Sequence, residues 1–127
     1  MLRFEFELTD HRQEFHKEKH SYIFEYEGFL TIHVGDVLFF EEQIAILEFF
    51  RDTTNWRKEQ IKSKSMLFNC IETDDNPLIS FVENNGKWLI HSTQQKFECH
   101  YQFTRETLET AILELEHSVD YYISRNR

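Results

Sequence analysis

The chain opens on strict alternation: Leu2, Phe4, Phe6 and Leu8 are apolar, and the residues between them, Arg3, Glu5 and Glu7, are charged. A period of two sends successive side chains to opposite faces, so this run predicts a half-buried strand. The polar, irregular stretch 11–20 reads as a loop. From Tyr22 to Val34 the even positions Tyr22, Phe24, Tyr26, Leu30, Ile32 and Val34 are apolar, with Gly28 in phase among them. One long strand bent at the glycine, or two strands in phase, is expected. Its odd positions carry Glu25, Glu27 and His33, with Ile23 and Phe29 as apolar exceptions. Gly35-Asp36 ends the strand.

A helix is expected from about Glu41 to Glu59. At about 100° per residue, Phe40, Ile44, Ile46, Leu47 and Phe50 share one side, with Phe49 and Trp56 at its margin and Glu48, Asp52, Asn55 and Glu59 opposite. Arg57, Lys58, Lys62 and Lys64 gather at its end, where cations complement the helix dipole. Met66 to Glu72 then reads as a strand and Thr73 to Pro77 as a turn.

The clearest structural signal follows. Asn85-Gly86 lies between two apolar runs, and both residues tolerate the positive φ of a tight hairpin turn. A two-residue turn fixes the register: Glu83 opposes Trp88, Phe81 opposes Ile90 and Ile79 opposes Ser92 on one face, while Val82 opposes Leu89 and Ser80 opposes His91 on the other. The first, bulkier face is expected to meet the helices. A further alternating run sends Phe97, Cys99, Tyr101 and Phe103 inward and Glu98, His100 and Gln102 outward. Thr104 suits an N-cap, and Leu108, Ala111, Ile112, Leu115, Val119 and Tyr122 recur at the three- and four-residue steps of an amphipathic helix.

The order β-β-α-β-β-β-β-α implies an α+β fold: a largely antiparallel sheet of about six strands with two helices packed on one face, forming one domain over residues 1–127. If the strands share one sheet, its outer face collects Glu5, Glu7, Glu25, Glu27, His33, His91, Glu98 and His100 around an apolar island at Val82 and Leu89. An apolar centre with a polar rim is the anatomy of a binding surface. The candidate binding set is therefore Glu25, Glu27, His33, Val82, Leu89, His91, Glu98 and His100.

Composition narrows the function. Thirteen Phe, five Tyr and two Trp supply an aromatic core, and one Pro with three Gly is too few for a low-complexity chain. The formal charge of −9 opposes general affinity for nucleic acid and favours a basic partner. That charge is uneven: residues 51–64 carry +3, against −7 before them and −5 after. No membrane-length apolar run and no signal-peptide core occurs, so a cytoplasmic, soluble protein without membrane association is expected.

Catalytic signals are missing. There is no phosphate-binding glycine loop, no nucleophile elbow and no cofactor motif, so no catalytic residue and no cofactor is assigned. Cys70 and Cys99 fall in apolar phase and read as small buried hydrophobes. His16 and His20 have an i, i+4 spacing near His11, Glu14 and Glu18, but in a loop that spacing places nothing together, and no metal site is assigned.

The segments GDVLFFEEQIAILEFFRDTTNW and NPLISFVENNGKWLIHSTQQKFECHYQFTRETLETAI resemble a family of small uncharacterised bacterial proteins with an NPLxSF…GxWxIHSxxQxFEC-like sheet segment. The resemblance spans about residues 22–120, and its motif residues include Trp88, His91, Ser92, Gln95 and Phe97. In size, acidity and a strand-rich body closed by helices, the chain is also similar to the immunity proteins that neutralise bacterial toxins. The resemblance implies no activity. The expected function is thus a protein-binding module of the immunity type, engaging a basic partner through the acidic sheet face. The alternative is a small-molecule or metal-binding protein, an enzyme among them, using His91 and His100 with Gln95 or Glu98. A third reading has Val82, Leu89, Ile23 and Phe29 forming a homodimer surface.

Overall fold

A computed structural model describes residues 2–8, 27–70, 74 and 76–125. The alternating N-terminal run is strand β1 (Leu2–Leu8), which pairs antiparallel with β2 (Glu27–Val34). In β2, Leu30 and Ile32 are fully buried and Phe29 faces out, as the parity requires. The continuation of that parity through Tyr22, Phe24 and Tyr26 lies outside the described residues.

The first departure from expectation comes at Gly35. Its φ of +63° lets Gly35-Asp36 form a tight turn, and the chain returns as β3 (Val37–Ala45) instead of entering a helix at Glu41. The register explains why this strand was hidden. His33 pairs with Leu38 and Ile32 with Phe40, so Phe39 is an extra, bulged residue. The bulge lets the consecutive Phe39 and Phe40 both be fully buried, which destroys the alternation that marks a strand.

Helix α1 is consequently shorter, Ile46–Arg57, and follows β3 directly with no side-chain cap at Ala45. Its buried face runs through Ile46, Phe49, Thr53 and Trp56. The expected face was rotated because Phe40 and Ile44, used to phase it, are strand residues. Phe49 and Trp56 therefore sit at the centre of the face rather than its margin, and Glu48, expected opposite, is buried at 4% exposure.

The remaining strands form a second antiparallel sheet in the order β4 (Met66–Phe68), β5 (Ile79–Asn84) and β6 (Lys87–Ser92). The β5–β6 turn has φ of 54° at Asn85 and 81° at Gly86, and the register is the expected one. The Asn76 side chain closes the approach to β5: its Oδ1 accepts from the Cys70 amide at 2.8 Å and its Nδ2 donates to the Cys70 carbonyl at 3.0 Å.

Residues 93–104 are not the additional strand expected. Trp88 and Phe103 exchange a pair of backbone hydrogen bonds, each 2.8 Å, as an isolated bridge. The Lys96 amide instead bonds the carbonyl of the bulged Phe39 at 2.8 Å, tying this segment to the first sheet. Pulled between two sheets, the segment forms no strand, yet Glu98, His100 and Gln102 face outward as the alternation implied. Cys99 and Phe103 are buried and Phe97 packs edge-on to Phe39 at 5.4 Å, but Tyr101 is 56% exposed and does not join the core.

The fold is thus α+β, as the pattern implied, with its six strands divided into two three-stranded sheets. Both sheets face a common aromatic core. Phe4 of β1 lies 6.0 Å from Phe81 of β5, and Phe49 and Trp56 of α1 meet Phe68, Phe81 and Trp88 at ring-centroid distances of 5.2–5.4 Å. Helix α2 (Arg105–Arg125) adds Leu108, Ala111, Ile112, Leu115 and Val119. The Thr104 hydroxyl accepts from the Thr107 amide at 3.1 Å, the N-cap the sequence called for.

Two arginines lock the helices. Arg57 bonds both oxygens of Glu116, and Arg105 stacks 4.2 Å over Trp56 while donating to the carbonyls of Trp56 and Lys62. Among the described residues no helix is long and apolar enough to cross a membrane.

Candidate protein-binding face

The division into two sheets decides which candidate residues share a surface. On the first sheet, the register makes three rungs across the outward face: Arg3–His33–Leu38, Glu5–Thr31–Glu41 and Glu7–Phe29–Gln43. Phe29 stands on the central strand yet is 41% exposed. Glu5, Glu7, Phe29, Thr31 and Glu41 line an open cleft of about 440 Å³ with Phe6 at its edge.

Adjacent strands lie about 4.8 Å apart, so Glu5 and Glu41 flank Thr31 with their backbones roughly 10 Å from each other. Carboxylates thus stand on both sides of an apolar centre. The only fixed cation among the described residues of these rungs is Arg3, whose Nε is 3.1 Å from Glu5 Oε1. His33 Nδ1 approaches the same oxygen at 3.7 Å. Glu7 and Glu41 form no ion pair among the described residues, and their charge faces outward. Chemically, the arrangement can take a long cationic side chain: the ring receives its aliphatic stem and the carboxylates receive its head group.

Of the expected binding residues, His33 belongs to this face, and Glu27 opens β2 one rung beyond it, opposite Ala45. Glu25 lies outside the described residues, as do His11, Glu14, His16, Glu18, His20 and Ile23. Val82, Leu89 and His91 are on the outward face of the other sheet. Glu98 and His100 are on neither sheet: both are highly exposed in the segment before α2, with His100 Nε2 3.8 Å from Glu98 Oε2. The structure therefore does not gather the eight candidates into one surface.

Of the histidine constellation, Glu98 and His100 lie side by side, and His91 is on the outward face of β6. Gln95 is occupied locally, its Oε1 accepting from the Ser92 amide at 3.2 Å. Among the described residues no group of three or more His, Cys, Asp or Glu side chains is placed to hold a metal ion. Cys70 and Cys99 are free and buried.

Thr31, Leu38, Glu41 and Gln43 are the members of the face that sequence reasoning missed. Glu41 was assigned to a helix N-terminus, and only the Gly35-Asp36 turn signal could have placed it on a returning strand. The motif residues Trp88, Ser92, Gln95 and Phe97 prove to be packing and turn-closing groups, which leaves His91 as the motif member facing outward.

Fold and surface together define an α+β domain that presents an acidic, aromatic-centred sheet face. A family model described as a domain of unknown function (DUF7878) matches residues 4–125, and the chain belongs to that family. No curated protein and no solved structure matches it.

Proposed function

We propose that this domain is a cytoplasmic protein-binding module of the immunity type, which engages a basic partner through the outward face of the β1–β2–β3 sheet. The observation that carries this reading is the half-exposed Phe29 on a central strand, ringed by Glu5, Glu7 and Glu41. Like charges on the two strands that flank β2 repel, and an exposed aromatic ring among them contributes nothing to solubility. Both features are compensated when a Lys or Arg side chain covers the ring and neutralises the carboxylates. The overall charge of −9 adds long-range attraction for such a partner, which speeds encounter and weakens with salt.

The test is co-expression with the product of the adjoining gene, followed by co-purification. A stable complex that dissociates with salt and is lost in the Glu5→Lys/Glu41→Lys variant supports the reading. A complex indifferent to both changes refutes the role of this face.

A further inference from the structure

The second sheet has an outward face of the opposite character. Its positions are Leu67 on β4, Ser80, Val82 and Asn84 on β5, and Lys87, Leu89 and His91 on β6. None is a carboxylate, in a chain that carries 23 of them. Leu67 is 51% and Val82 41% exposed, and Leu89, paired with Val82, is half-buried. Ser80, between Leu67 and His91 in the register, is buried. The opposite face of this sheet, through Phe68, Phe81 and Trp88, already meets α1 in the core.

We infer that this face is a homodimer interface, in which Leu67, Val82 and Leu89 of one copy pack against the same residues of a second. Charge selects the occupant. Two copies at −9 each repel wherever their acidic surfaces meet, and this sheet face lets them approach with no carboxylate between them. A basic partner gains nothing from it, for the same reason. A two-fold axis needs a surface complementary to itself, and the apolar centre of this face satisfies that condition, with Lys87, beside the hairpin turn, its one formally charged position.

The geometry also sets the mode of contact. On the β6 side, Trp88 is bonded to Phe103, and on the other side β4 is only three residues long. Neither edge offers a long strand for pairing, so the copies meet face to face. The β1–β2–β3 face stays free in each copy, and the dimer is bivalent for its basic partner.

Sedimentation equilibrium on the whole chain tests this. Wild-type protein is expected to run at twice its 15.6 kDa mass at micromolar concentration. The dimer should persist or strengthen in sulfate, since its contact is apolar. Val82→Glu, or Leu67→Glu if the first fails to fold, should return it to monomer with an unchanged far-UV spectrum. Glu5→Lys should leave the dimer intact, which separates this interface from the acidic face. Wild-type protein that stays monomeric overturns the inference without recourse to any variant. So does a dimer that survives both glutamate substitutions, or one that salt dissociates.

Discussion

Arg57 and Glu116 form a two-pronged pair between the helices: Arg57 Nε donates to one carboxylate oxygen at 2.8 Å and Nη2 to the other at 2.7 Å. Glu116 is only 5% exposed, and its hydrogen bonds with Arg57 hold the Arg57 pKa above its ordinary value. Removing either partner strands the other charge. Arg57→Ala is expected to cost about 2–3 kcal/mol in urea unfolding, somewhat below a fully buried pair because the arginine retains contact with water. Replacing both residues by Leu should cost less than the sum of the single changes.

Arg105 donates from Nε to Glu109 Oε2 at 3.3 Å and spends its other donors on carbonyls. It binds those of Trp56 and Lys62 and lies over the Trp56 ring, while the Trp56 indole donates to Lys64 at 2.9 Å. A planar guanidinium can stack and donate in several directions at once, and an ammonium cannot. Arg105→Lys keeps the charge yet should lose about 2 kcal/mol of stability, read from the shift in urea midpoint.

Gly86 isolates a backbone effect. Its φ is +81°, and a Cβ built there meets nothing within 4 Å. Gly86→Ala should therefore cost about 1–2 kcal/mol through conformation alone, with the hairpin register preserved in the amide spectrum.

Asp52 gives a pH dependence of the less common sign. Burial raises its pKa from the ordinary 3.8, against the opposing influence of Arg51 3.2 Å away. Between the unfolded and folded pKa values the folded chain holds more protons. Stability contributed by this group is thus present at low pH and is lost as pH rises through that window. Asp52→Asn should raise the melting temperature at pH 7, and the gain should vanish below pH 3.8.

What the sequence revealed followed from how regular each segment is. Alternation in β1 and β2, the Asn85-Gly86 turn and the three- and four-residue steps of α2 each carry one periodicity, and each was placed correctly over the described residues. Phe39 breaks the rule in β3, because a bulge buries two successive aromatics and imitates the start of a helix. The hidden strand also rotated the expected face of α1, through Phe40 and Ile44, and concealed Glu41. The site was legible only in part: the outward parity of Glu5, Glu7 and His33 could be read locally. Whether the strands of the two halves share a sheet depends on long-range pairing, which no local pattern encodes, so Val82, Leu89 and His91 were grouped with residues of another sheet.

The acidic face is tested most directly by titrating isotope-labelled protein with a short Lys- and Arg-rich peptide and following backbone amide shifts. Perturbations should concentrate at Glu5, Glu7, Phe29, Thr31 and Glu41, fade with added salt, and disappear in Glu5→Lys/Glu41→Lys. Shifts spread equally over the carboxylates of α2, such as Glu106, Glu114 and Asp120, or centred on Val82 and Leu89, would contradict the assignment of this face.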